Sequence, residues 1–401
     1  MSTVVFFNYP AYGHINPTLP IVTELVRRGE KVFYYALEEF QSAIEYTGAI
    51  FRSHGKDFPF HLTNAELSTA MSLHCLLQTS QWVLDNLLQE VRAIQPDYIM
   101  YDAFCPWGRY IGEILRVPTV SMISGLLMNS RILCGVPSAT LEVVSVFIKK
   151  YKYTARSQAI ANALSKKYNL QRSNIIDLLL NDGMLNIVYT SKAFQPLSSS
   201  FDQKHFKFVG PSILPRPQTH HFPFEKLGEK PLIYISLGTI FNKKAAFYRA
   251  CFEAFADTDW QVVMTIGRHV CRDSLGPIPS NFIVREFVPQ LEILQRTSLF
   301  ITHGGMNSVS EALYYNVPLV VVPQSADQPW IAKRVVELGV GRSLSPRRVT
   351  AKSLRRAAEK IFSQPAYANA AASVGESLRT AGGYKTAADE ILNFKRTHGI
   401  R

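Results

Sequence analysis

The chain has 401 residues, 47% of them hydrophobic and 18% charged; this is a packed globular composition on a length that exceeds what one hydrophobic core usually serves, so two domains are expected. No run reaches the eighteen or so apolar residues of a membrane span, and the chain opens directly on a strand-like Val4-Val5-Phe6-Phe7, so a cytoplasmic protein is expected. Cys75, Cys105, Cys134, Cys251 and Cys271 are odd in number and widely spaced, which argues against a disulfide framework and a cysteine metal motif. The net charge of +12 is scattered, with short clusters near Lys149 and from Arg342 to Arg348. It reads as solvated surface that steers an anionic small substrate rather than as a nucleic-acid footprint. The cluster near Lys149 follows an apolar run, 141–148, which leaves a weak membrane contact open.

Residues 4–7 predict a buried strand, 8–16 a polar turn, 18–28 a helix and 31–36 a second strand, together a β-α-β unit of a parallel sheet. Residues 96–102 predict a strand ending in Asp102, followed by a helix over 107–115 and a strand over 119–123. Ligands of such sheets bind beyond the carboxyl ends of the strands. Segments 55–80 and 125–180 are less regular and largely helical. Phe58, Phe60, Leu76, Met122, Leu126 and Met128 offer an apolar ligand pocket there, while each taken singly reads equally as a core position on an amphipathic element.

A Pro- and His-rich stretch around 209–223 lacks periodicity and marks a linker. The division is therefore 1–209, a linker 210–229, a second domain 230–385 and a terminal helical segment 386–401. Strand-to-turn patterning restarts at 231–239 with the small residues Ser236, Gly238 and Thr239, and further strands are expected over 261–266, 282–285 and 299–302. From Phe300 to Leu313 a buried strand runs through glycines into a helix whose first turn presents His303, Asn307 and Ser308. Backbone N–H groups and the positive end of the helix dipole make such a turn an anion site, and a diphosphate fits it. Glu311, one turn further on, suits ribose hydroxyls. After another buried strand, Asp327-Gln328 pairs a charged acceptor with an amide, a combination that can grip vicinal hydroxyls of a sugar.

The run from Phe287-Val288-Pro289-Gln290 through His303-Gly304-Gly305-Met306-Asn307-Ser308 to Asp327-Gln328 resembles the donor-binding signature of the UDP-glycosyltransferase superfamily, especially its bacterial macrolide-glycosyltransferase-like branch. Gly13-His14-Ile15-Asn16-Pro17 is similar to the family as well. The resemblance covers the whole chain, most strongly its carboxy-terminal half. It implies an α/β protein of the GT-B architecture, two Rossmann-like doubly wound domains facing a cleft, with the last helix packing back on the first domain. It also implies that Phe287, where many relatives carry tryptophan, stacks on uracil with less ring area. Gln290 is then a second nucleotide contact or simply a polar residue at a helix start.

Glycosyl transfer needs a base for the acceptor hydroxyl, a hold on the sugar and stabilisation of the leaving diphosphate. His14 is the candidate base, its alternative being a cap on the helix that follows. Asp102 is the candidate carboxylate for its other nitrogen, as in a hydrolase triad, although it equally suits capping the helix after Pro106; Asp97 is a rival that opens the strand rather than closing it. No Asp-x-Asp metal pair stands in a suitable loop, so the diphosphate charge falls to the helix dipole, His303, Asn307, Ser308 and Thr239. Neither metal nor cofactor is expected.

The expected function is an inverting, metal-independent transfer of a hexose, glucose first among them, from a UDP-sugar to a hydroxyl of an apolar or aromatic small molecule of phenolic, flavonoid or macrolide type; Asp327-Gln328 favours a hexose with free equatorial hydroxyls without singling out glucose. A UDP-sugar epimerase, a lipid-directed transferase of the same fold and a non-catalytic nucleotide-sugar-binding protein stay open. A dinucleotide oxidoreductase is disfavoured, because Tyr9-Pro10-Ala11-Tyr12-Gly13-His14 lacks the glycine fingerprint after the first strand. The expected partners are the UDP-sugar and the acceptor, without nucleic acid or stable membrane insertion.

Overall fold

The computed structural model describes residues 1–59, 69–136, 151–171, 177, 180–216, 222–240, 242–325 and 327–400. Phe60, the apolar run 141–148, Lys149 and part of the linker lie outside them. The chain forms two compact units, one of residues 1–191, 197–213 and 381–401, the other of 192–196 and 214–380.

The first unit is built on a parallel sheet of seven strands: β1 (Thr3–Phe7), β2 (Lys31–Ala36), β3 (Ile50–Ser53), β4 (Tyr98–Asp102), β5 (Thr119–Ile123), β6 (Leu185–Val188) and β7 (Phe206–Phe208), in the order β3-β2-β1-β4-β5-β6-β7. Both faces of the sheet are covered, which explains why β1 reads as an unbroken apolar run rather than an alternation. Val4 and Phe6 pack into one core layer and Val5 and Phe7 into the other, all four without exposed surface. The first layer includes Ala387, Ala388, Ile391 and Phe394 of the last helix, Gly383–Thr397, which lies against the helix Tyr12–Arg27. Burying side chains such as Ile391 and Phe394 contributes roughly 1.5–3 kcal/mol each. Next to them Lys395 Nζ meets Glu30 Oε1 at 2.5 Å, and the Tyr98 hydroxyl donates to Glu30 Oε2 at 3.0 Å, so this buried ion pair is hydrogen-bonded on the carboxylate's other oxygen as well.

The first helix starts at Tyr12 and not at residue 18, because Pro17 and Pro20 lie inside it. Proline ordinarily marks the first turn of a helix, and each of these removes a backbone hydrogen bond. Both rings are buried, and the packing of this face offsets the loss. His14 therefore stands on the first helical turn rather than in a preceding loop.

The second unit repeats the arrangement in six parallel strands: β8 (Leu232–Ser236), β9 (Gln261–Thr265), β10 (Phe282–Arg285), β11 (Leu299–Thr302), β12 (Leu319–Val321) and β13 (Gly341–Ser343), ordered β10-β9-β8-β11-β12-β13. Its core joins Ile233, Ile235, Val262, Met264, Val284, Ile301 and Val320 to Phe252 and Phe255 of the helix Ala245–Phe255 and to Leu354 and Ile361 of the helix Ala351–Ser363. In both sheets the strand order reverses beside the first strand, between β1 and β4 and between β8 and β11. Those are the topological switch points at which open α/β sheets bind ligands.

Candidate functional site

At the switch point of the first sheet, the chain leaving β1 turns at Asn8 into the helix that carries His14, and β4 ends on Asp102. Asn8 is buried and holds the turn, its side-chain amide donating to the Tyr34 hydroxyl at 2.5 Å and to the His14 carbonyl at 3.2 Å. His14 Nδ1 lies 2.8 Å from Asp102 Oδ2 and 3.2 Å from Ser124 Oγ. The Asp102 side chain is 1% exposed and that of His14 18%. With Nδ1 donating to the carboxylate, the imidazole lone pair falls on Nε2, the tautomer a general base needs. Oδ1 of Asp102 accepts the Phe104 N–H at 2.8 Å, so one carboxylate fixes both the imidazole and the loop beyond β4.

Asp97 stands at the opposite end of β4, where it accepts the Thr3 N–H at 2.7 Å, and it has no part in this arrangement. The helix Pro106–Leu115 takes Cys105 as its N-cap without a side-chain cap, so Asp102 does not serve there. Ser124 and Phe104 were not singled out by the sequence; the available signal was their position just past the carboxyl ends of β5 and β4.

The apolar candidates divide. Met122 is wholly buried in the core of β5 and belongs to the packing rather than to a ligand surface. Leu126 is buried, and Met128 is half-buried, on the loop that follows Ser124. Leu76 is half-buried against the core layer that contains Phe58. Phe58 stacks on His54 with ring centroids 4.1 Å apart and meets Trp82 and Trp107 edge-on.

At the second switch point Ser236 and Thr302 are register partners, so the segments that follow them emerge side by side. His303 packs between the two turns. A Cβ on Gly238 would stand 2.6 Å from His303 Cε1, and one on Gly305 would stand 2.4 Å from Nε2. Gly304 has φ +86°, a conformation costly for side chains with a Cβ. The three glycines are thus dictated by the ring and by the turn.

The helix Met306–Tyr314 takes Gly305 as its N-cap without a side-chain cap, and its first helical bond runs from Val309 N–H to the Gly305 carbonyl at 3.0 Å. The amides of residues 306–308 consequently face out of the helix end, where an anion is stabilised. Burial lowers the His303 pKa to about 4, so near neutral pH the ring is an uncharged hydrogen-bonding group and not a cation. Asn307 and Ser308 are half-buried on the same turn, Ser236 is buried and Thr239 exposed.

Glu311 is 5% exposed and serves two partners, accepting from Gln290 Nε2 at 2.7 Å through one oxygen and from the Arg216 guanidinium through the other. Gln290 in turn accepts from the Tyr234 hydroxyl at 3.1 Å. Phe287 is half-buried beside Val288, with the Arg268 guanidinium 5.1 Å from its ring centroid. Gln328 is buried, and its Oε1 accepts from the backbone of Gln324 at 2.7 Å and of Ser325 at 3.1 Å. Its carbonyl oxygen is therefore occupied in folding the loop. Asp327 precedes the helix Gln328–Glu337 and is half-buried. Arg216 and Arg268 had not been singled out by the sequence. Among the described residues, no helix is long and apolar enough to cross a membrane.

Residues 249–382 match the family described as erythromycin biosynthesis protein CIII-like, C-terminal domain. Over the full length the chain is 36% identical to a Bacillus subtilis protein named uncharacterized UDP-glucosyltransferase YojK, covering 98% of this chain and 97% of that one. It is also 36% identical to the NDP-glycosyltransferase YjiC of Bacillus licheniformis, covering 99% of both. Among solved structures, the glycotransferase of kitacinnamycin superposes with a TM-score of 0.83 at 28% identity, covering 98% of each chain.

Proposed function

Because the chain belongs to the UDP-glycosyltransferase family, in its macrolide-glycosyltransferase-like branch, we propose that it transfers a hexose, glucose first among them, from a UDP-sugar to a hydroxyl of an apolar or aromatic small molecule, with inversion and without a metal or resident cofactor. The observation that carries this reading is the 2.8 Å contact of His14 Nδ1 with a buried carboxylate at the first switch point.

In the proposed step His14 Nε2 takes the acceptor's hydroxyl proton while the acceptor oxygen forms its bond to the anomeric carbon. The bond from that carbon to the diphosphate oxygen breaks, and its electron pair leaves on UDP. Asp102 stabilises the imidazolium that forms, by the same hydrogen bond that orients the neutral ring. The diphosphate would rest on the helix start at residues 306–308, with His303 as a neutral hydrogen-bond partner, so charge is stabilised by fixed dipoles. Phe287 would stack on the base and Glu311 receive the ribose hydroxyls, while Asp327 and the amide end of Gln328 would hold the sugar. A single displacement turns an α-linked donor into a β-glycoside.

The test is mass spectrometry of the purified protein with a panel of UDP- and TDP-sugars against phenolic, macrolide and sterol acceptors, with NMR of the anomeric proton in the product. A β-glucoside formed from UDP-glucose after exhaustive EDTA treatment is the expected result. An α-product, or activity abolished by chelation and restored only by Mg²⁺ or Mn²⁺, overturns the mechanism.

A further inference from the structure

Phe104 is a large apolar side chain left 49% exposed on the loop between β4 and the helix Pro106–Leu115, at the ligand-binding end of the first sheet. Its backbone cannot drift, because its N–H is held at 2.8 Å by the same Asp102 carboxylate that holds His14. Its ring stands 5.1 Å from the His14 ring at 86°, edge to face, and 5.6 Å from Tyr9 at 45°. Tyr9 itself meets His14 at 4.9 Å and 62°. The base is thus flanked by two aromatic rings, of which Phe104 remains half open. Tyr9 adds no charge, since burial first and the neighbouring Cys105 and Asp102 next hold its hydroxyl far above the ordinary tyrosine range.

We propose that Phe104, braced by Tyr9, is a specificity-determining residue that stacks on the acceptor and makes this site prefer hydroxyls borne directly on a planar aromatic ring over hydroxyls on a saturated skeleton. The inference rests on the reading of His14 as the base. An acceptor oxygen within hydrogen-bond reach of Nε2 brings the ring bonded to it within the 4.5–7 Å range of aromatic contacts around His14. Two rings with opposed edge and face charge gain from that approach beyond the area they cover, whereas a saturated ring gains only from burial. The aromatic increment corresponds to about 2- to 10-fold in binding.

The test compares β-naphthol with its saturated analogue decahydro-β-naphthol on the full-length protein, measuring KM and kcat, and, independently of turnover, binding by naphthol fluorescence with the analogue as competitor. Phe104→Leu keeps an apolar side chain without the ring, and Phe104→Tyr keeps the ring. For Phe104→Leu the KM and Kd of β-naphthol are expected to rise about 2- to 10-fold, with those of the saturated analogue rising by a clearly smaller factor. Phe104→Tyr is expected to retain near wild-type preference. Equal rises for both compounds, an unchanged naphthol affinity in Phe104→Leu, or equal damage in Phe104→Tyr each overturn the proposal. Failure of the underlying reading looks different: His14→Ala retaining turnover on the weakly acidic saturated alcohol removes His14 as base, whatever Phe104 does to binding.

Discussion

Asp102 Oδ2 lies 2.8 Å from His14 Nδ1 while Oδ1 of the same carboxylate holds the Phe104 amide at 2.8 Å. Replacing Asp102 by Asn preserves one acceptor and the shape, but its NH₂ group is a donor and favours the tautomer with the proton on Nε2. Asp102→Asn should therefore lower kcat on an aliphatic alcohol by an amount on the order of 10²–10⁴, the range of general-base contributions. UDP binding, which the proposed function assigns to the other unit, should stay within about twofold by calorimetry, since no step of general-base catalysis touches the nucleotide. A variant with near wild-type turnover would remove Asp102 from the proton path.

Glu311, like Asp102, holds two partners, and in the proposed binding mode Arg216 is the one that yields. A ribose hydroxyl donating to Glu311 competes with the guanidinium, and the Arg216 side chain, 31% exposed, can turn to solvent while Glu311 stays buried. Glu311→Ala should weaken UDP about tenfold or more, because a hydroxyl–carboxylate bond in a buried site is worth roughly 1.5–3 kcal/mol. Arg216→Ala should leave UDP binding unchanged or tighter. Titration of UDP against both variants checks this, and weaker binding in Arg216→Ala would make the arginine a ligand contact instead.

What the sequence disclosed follows physical locality. The strands β1, β4, β8 and β11 are short, almost wholly apolar runs, so Asp102 and Ser236 at the ends of β4 and β8, His303 just past β11, and His14 on the helix after β1 stand out against them as polar groups at the carboxyl side of a parallel sheet. The start of the first helix was misplaced because Pro17 and Pro20 obey the packing of their face rather than their usual positions. Ser124, Arg216 and Arg268 stayed hidden because each acts on a residue remote in the chain, Arg216 standing 95 residues from Glu311. Gln328 was legible as a polar loop residue, but the partners that occupy its carbonyl oxygen, the amides of Gln324 and Ser325, are visible only once the loop is folded.

The contact of Gly305 with His303 gives a steric test of the anion site. A Cβ at residue 305 would stand 2.4 Å from His303 Nε2, so Gly305→Ala must push the ring away from the helix start. UDP affinity should fall about as far as in His303→Ala, and the double variant should fall little further, because both remove the same contact. His303→Gln, which retains a neutral donor, should bind better than His303→Ala, since the ring is uncharged near neutral pH. Isothermal titration of the wild type and the four variants at one pH decides; additive losses in the double variant would place His303 and Gly305 in separate roles.

His54 carries the last prediction. It is 1% exposed, stacked on Phe58, and neither ring nitrogen has a hydrogen-bond partner among the described residues. Burial pushes its pKa down from 6.5 to about 3. The folded state therefore holds this histidine neutral while the unfolded chain protonates it near 6.5, so the stability it permits is complete above pH 6.5 and is lost as pH falls toward 3, because the unfolded state then binds the extra proton. The slope approaches about 1.4 kcal/mol per pH unit below 6.5, or about 2 kcal/mol by pH 5. Phe can keep the stack and has no proton to bind, so His54→Phe should match or exceed wild-type stability at pH 8 and exceed it by about 2 kcal/mol more at pH 5. Urea midpoints of both proteins across that range measure the difference, in which the titration of every other group cancels. Parallel pH profiles would mean that His54 is solvated or paired in solution and that its burial does not set the acid sensitivity of the first unit.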